Sequence, residues 1–133
     1  EKPPRDFWDI KLVPGGLIDL EFIAQVAAIT GRLEGEGRTS NTAELLSRLS
    51  PDYADPGTRE RLCAAWSLYL ALTQIIRLCL PGSFDRHDAP SGLVDLLLAQ
   101  TGLPDLTVLE AHLKETARAV RKDFDRLLRG KRG

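Results

Sequence analysis

The chain has 133 residues, of which 43% are hydrophobic and 28% charged, and its formal net charge is -1. That length suits one domain, and the apolar share is enough for a real core, which excludes a disordered segment. The near-neutral balance gives no overall field for nucleic acid or an acidic membrane, and no apolar run of about 18 residues is free of polar breaks, so neither partner is expected.

The first patterned stretch is Phe7 to Val13. After Phe7 it alternates, with Trp8, Ile10 and Leu12 on one side and Asp9 and Lys11 on the other, which predicts a short strand. Nothing else in the chain offers it a partner, and a lone strand leaves its own backbone unpaired. It is therefore expected to lie against another domain or another chain. Pro14-Gly15-Gly16 breaks the pattern.

A helix is predicted from Leu17 to about Leu33, with Ile18, Phe22, Val26 and Ile29 as its stripe and Ala24, Ala27 and Ala28 keeping its sides slim. The segment from Glu34 to Ser40 is a flexible polar loop. Asn41 stands three residues before Glu44, the spacing of a capping box, ahead of a short helix from Thr42 to about Leu49. Asp55 and Pro56 then read as N-cap and first residue of a long helix reaching about Leu80, striped by Leu62, Trp66, Tyr69, Thr73, Ile76 and Leu80.

Pro81-Gly82 ends that helix. Ser91 is placed as the cap of a short helix running to about Thr101. The last helix begins after a cap at Thr107 or, one turn earlier, at Asp105. Its stripe of Leu109, Leu113, Ala117, Val120, Phe124 and Leu127 is the clearest helical period in the chain. The reading is an all-α antiparallel bundle of about five helices over residues 17–133, behind a short extended segment over residues 1–16 that forms a domain seam. Arg126, Arg129, Lys131 and Arg132 make the end locally basic, as suits a solvated helix terminus.

Cys63 and Cys79 fall in one helix, sixteen residues apart. At about 1.5 Å per residue they are on the order of 24 Å from each other, too far for a disulfide. They read as thiols of a reducing compartment, and with no signal segment the cytoplasm is the expected location. The chain opens at Glu1 and has no Met, which reads as a domain cut from a longer polypeptide.

Candidate chemistry concentrates between Asp9 and Gln25. Gly15-Gly16 ahead of a helix start can present free N–H groups to a phosphate, with Lys11 as an added cation. The same residues also make an ordinary turn. Asp19 and Glu21 are two apart on a helix and point about 200° from each other, so they cannot form one paired-carboxylate site. Asp19 suits the first-turn dipole, and Glu21 suits an ion pair with another element. Gln25 follows Glu21 by one turn. His87 and His112 are far apart with no ligand cluster around them, and no serine sits in a nucleophile elbow.

Lys11 to Gln25 resembles the K-x-x-x-G-G-[IL]-x-D-I-E-F-x-x-Q signature of the glutamine synthetase adenylyltransferases, to which the PII uridylyltransferases are related. Leu20 stands where Ile is usual. Trp66 to Leu80, then Pro81, Gly82, Phe84 and Asp85, and the helix from Leu109 to Leu128 are also similar, so the likeness covers nearly the whole chain. The resemblance implies a helical accessory domain at the carboxyl end of an enzyme that moves AMP from ATP to a tyrosine of glutamine synthetase, in its attaching half. It implies ATP and Mg²⁺ in the parent enzyme and no cofactor in this segment, because the family's Asp-x-Asp metal pair has no match here and Asp85-Arg86-His87-Asp88 lies in a loop. No catalytic or metal residue is assigned. Lys11, Gly15 and Gly16 are the expected phosphate contacts, and Asp19, Glu21 and Gln25 the expected domain interface. The implied partners are the nucleotidyltransferase domain of the same polypeptide, glutamine synthetase and the PII protein. The rival reading is a free-standing helical interaction module.

Overall fold

A computed structural model describes residues 7–128 of the chain. Residues 1–6 of the expected extended segment and the basic residues Arg129, Lys131 and Arg132 lie outside the described residues. The elements are α1 (Leu17–Ile29), α2 (Thr42–Ser47), α3 (Pro56–Cys79), α4 (Ser91–Thr101) and α5 (Leu106–Leu128). Among the described residues there is no strand, and the bundle is all-α as its sequence predicts.

Local chemistry sets the helix starts. Asn41 accepts the Glu44 N–H at 2.9 Å, and Asp55 accepts the Thr58 N–H at 2.8 Å ahead of Pro56. Each satisfies an amide that the first helical turn leaves free. At α5 the cap is Asp105, whose carboxylate takes the Val108 N–H at 2.9 Å, so the earlier of the two expected starts is the real one. Ser91 does not cap α4; it is the first helical residue, and Pro90 precedes it without a side-chain hydrogen bond.

The loop before α2 is pinned rather than flexible. Leu33 and Leu49 form an antiparallel bridge, and Arg48 reaches the carbonyls of Glu34 and Gly37 at 2.7 and 3.0 Å. The arginine thereby satisfies loop carbonyls that would otherwise need water.

The core lies where α3 meets the other four helices. Leu62, Ala65, Tyr69 and Leu72 of α3 are buried, with Leu45 and Leu46 of α2, Leu93 and Leu97 of α4, and Leu109, Leu113 and Val120 of α5. By length and composition α3 is apolar enough to cross a membrane, with a mean hydropathy of 1.5 in its most apolar stretch. In the fold that same character serves its contacts with α1, α2, α4 and α5.

The buried face of α1 is not the predicted one. Leu17, Leu20, Ile23, Ala24 and Ala27 face the core, while Phe22 is 53% and Ile29 82% exposed. The helix is apolar on nearly every side, so periodicity could not choose between faces. The choice falls to Ala24 and Ala27, whose small side chains let α1 approach its neighbours closely. The helix also stops at Ile29, earlier than Leu33, because Thr30 and Gly31 turn the chain.

The Asp55 cap has a testable pH signature. The Thr58 N–H holds its carboxyl below the usual carboxylate range. A depressed native value means that the contribution is present above the unfolded value, about 3.9, and is lost as pH falls through the folded one. Asp55→Ala is expected to lower Tm by about 4 °C at pH 7, with the gap to the parent closing in scans taken progressively below the usual carboxylate range.

Candidate functional site

The expected strand is a pair of turns. The N–H groups of Leu12 and Val13 both donate to the Asp9 carbonyl, at 3.0 and 3.1 Å, and the coil then hands its carbonyls to the start of α1. Leu17 N–H donates to Ile10 O at 3.0 Å, and Ile18 N–H to Lys11 O at 3.2 Å. No neighbouring sheet is needed, because the backbone finds its partners locally.

Trp8 and Ile10 are 7% and 4% exposed, enclosed by this chain's own residues. The Trp8 ring packs on Phe84 with centroids 4.2 Å apart, and its Nε1–H donates to the buried Glu110 carboxylate at 2.8 Å. Arg86 holds the other oxygen of Glu110. One acid thus ties the amino-terminal turn and the loop after α3 to α5, and its charge is paired, as burial requires.

Gly15 and Gly16 are fixed by close approach. Gly15 has φ +85°, and a Cβ there would stand 1.9 Å from the Ala117 carbonyl oxygen of α5. A Cβ on Gly16 would stand 2.1 Å from the Ile10 carbonyl oxygen. The donors of this turn are occupied: Gly15 N–H by the Asp19 carboxylate at 2.6 Å, Gly16 N–H by Val13 O at 2.8 Å. The phosphate contacts expected at these two glycines therefore meet amides already in use, and the anion at this helix start is Asp19 itself. Lys11 is exposed.

Asp19 is held inward. Its carboxylate also takes Arg121 Nη1 of α5 at 2.9 Å, and Arg121 lies over the Phe124 ring, 4.4 Å from the centroid. From α3, the buried Tyr69 hydroxyl donates to Gly15 O at 2.8 Å. Burial, with Asp19 nearby, pushes the Tyr69 pKa up, so the phenol stays a neutral donor. Asp19 therefore serves the domain's own packing rather than the expected interface.

Glu21 and Gln25 point the other way, as their spacing predicts, and both are exposed. Neither has a hydrogen bond or ion pair among the described residues. Phe22 lies between them, exposed on one side and stacked on Phe124 on the other, with ring centroids 6.0 Å apart. Among the described residues no group of three or more His, Cys, Asp or Glu could hold a metal ion.

Three curated relatives align over almost all of the chain. Bifunctional glutamine synthetase adenylyltransferase/adenylyl-removing enzymes of Mesorhizobium japonicum, Brucella suis and Agrobacterium fabrum are 68%, 47% and 44% identical, over 99%, 96% and 93% of it. The chain belongs to the glutamine synthetase adenylyltransferase family. It spans 13% of the length of each of these relatives. No family model matches the chain, and no solved structure matches it significantly.

The family signature divides by location. Its glycines and Asp19 lock α1 onto α3 and α5, while Glu21, Phe22 and Gln25 face outward. Tyr69, Glu110 and Arg121, which complete the lock, escape sequence reading because they lie 54 to 102 residues from their partners. Only Tyr69 gave a signal, as a polar-tipped member of an apolar stripe.

The lock predicts unequal glycine substitutions. Gly31→Ala, at φ +72° with open space around it, should cost about 1 kcal/mol. Gly15→Ala adds collision with the α5 backbone and should cost more than about 3 kcal/mol in urea unfolding. Equal costs would remove the close-approach account.

Proposed function

We propose that the chain is a helical accessory domain of an enzyme that transfers AMP from ATP to a tyrosine of glutamine synthetase, and that it docks on the rest of that polypeptide through the outer face of α1. The observation that carries the docking is the outward half of the signature: Glu21, Phe22 and Gln25, exposed and without polar partners among the described residues. The names of the relatives, and their much greater length, support the activity and a neighbour within the same polypeptide.

In this reading ATP and Mg²⁺ are bound by the remainder of the enzyme, in the cytoplasm. The domain fixes the orientation of the catalytic half that attaches AMP. Phe22 would bury its free side in the interface, Glu21 would meet a basic residue, and Gln25 would supply directional hydrogen bonds at the rim. PII protein reaches the enzyme as a regulator in this account, with no contact assigned to this domain. The family lock holds α1 rigid, which is what an orienting surface requires.

The test uses the full-length enzyme. Truncating an aromatic anchor at an interface costs about 2 kcal/mol, about thirtyfold in an equilibrium. Phe22→Ser with Gln25→Ala should reduce AMP transfer to glutamine synthetase at least about tenfold, while the 133-residue chain carrying both changes, though it loses the Phe22–Phe124 contact, still unfolds cooperatively above the assay temperature. Transfer at the parent rate would rule out docking through this face.

A further inference from the structure

A cleft of about 480 Å³ opens between the Trp8–Lys11 turn, the carboxyl end of α3 and the loop from Pro81 to Asp85. That is within the range of about 300–1,000 Å³ common for small-molecule sites. It shares no residue with the outer face of α1. Its apolar lining includes Ile10, Ile76, Leu80 and the packed pair Trp8 and Phe84.

Charge is what sets the cleft apart. Most cations among the described residues are engaged. Arg61 and Arg126 hold Asp123, Arg86 holds Glu110, and Arg121 holds Asp19. Arg48, Arg59 and Arg118 pair with glutamates, while Arg32 and Lys114 lie over aromatic rings. Lys11, Arg38, Arg77 and Lys122 have no such partner among the described residues. Two of these four, Lys11 and Arg77, line this one cleft although they come from different elements.

A third group there lacks a partner. The Thr73 hydroxyl oxygen is buried, lines the cleft and makes no hydrogen bond among the described residues. A buried hydroxyl left so is costly unless something supplies an acceptor. Two acids limit the choice of ligand. Asp85 accepts the His87 N–H at 3.0 Å and so closes its own loop, and Asp9 stands half-buried beside Lys11. With both acids present the cleft has no excess positive charge with which to hold a polyphosphate.

We propose that this cleft binds a small monocarboxylate, its carboxylate between Lys11 and Arg77 and its apolar body on Ile76, Leu80 and Phe84. Arg77 offers the planar fork that matches a carboxylate and Lys11 a mobile point charge. The site stands whether or not α1 docks on a neighbour. It gives signature residue Lys11 a role away from the Gly15-Gly16 turn.

Benzoate is the probe, read by Trp8 fluorescence in a Trp66→Phe background and by saturation-transfer NMR. Benzoate is expected to bind saturably in the millimolar range, and Lys11→Ala with Arg77→Ala to weaken it at least tenfold without moving Tm, since both side chains are exposed. Benzylamine, of like shape and opposite charge, should not bind. No saturable benzoate signal, equal affinity in the double variant, or benzylamine binding as well as benzoate would overturn the proposal. ATP binding more tightly than benzoate would overturn it too, by showing a polyanion site.

Discussion

The structure turns on the contact between Gly15 and the backbone of α5. No side chain fits between them, since a Cβ on Gly15 would meet the Ala117 carbonyl oxygen at 1.9 Å. That approach sets how closely the start of α1 sits against α5, and the other contacts of the turn follow. Tyr69 reaches Gly15 O, Asp19 closes on Gly15 N–H, and Arg121 neutralises Asp19. A larger residue would separate the elements and leave a buried hydroxyl and a half-buried acid without partners, so the loss would be cooperative.

This arrangement explains why a diglycine before a helix need not be an anion site. Helix starts attract anions because their first amides are free and the dipole is positive there. Here Asp19 supplies the charge from within the helix, and the turn supplies the acceptors for Leu17 and Ile18. The same physics that makes such a place a phosphate site in other folds is spent on self-closure. Whether amides are occupied depends on how the preceding residues turn back, which spacing alone does not reveal.

Much of the fold was legible from residues alone. The caps at Asn41 and Asp55 and the stripe of α5 stand where the sequence places them, because each depends on residues within a turn or two of one another. Three things were not legible. The alternation from Trp8 to Leu12 resembles a strand, but turns also place every second side chain inward when an aromatic anchor such as Trp8 finds a distant acid, Glu110. The buried face of α1 depends on which neighbours it meets. The lock residues come together only through tertiary contacts. At the candidate site, the opposed directions of Asp19 and Glu21 were legible, but not that Asp19 turns inward while Glu21 stays outside.

A comparison of α1 with α5 supports the docking proposed for the outer face of α1. The α5 helix is amphipathic: its apolar stripe is buried, and its other side carries Lys114, Glu115, Arg118 and Lys122, which water solvates well. The α1 helix has no such polar side. Its outward positions are Phe22, Ala28 and Ile29, with only Glu21 and Gln25 among them. Scattered apolar residues on a surface carry no message, but a helix whose outer face is mostly apolar is the pattern of one covered on more than one side. Three helices of this chain, α2, α3 and α5, cover one side. Rigid attachment through Gly15 and Asp19 keeps the other side from turning inward, at the expense of exposed Phe22 and Ile29, and the proposed docking would recover that expense by removing them from water.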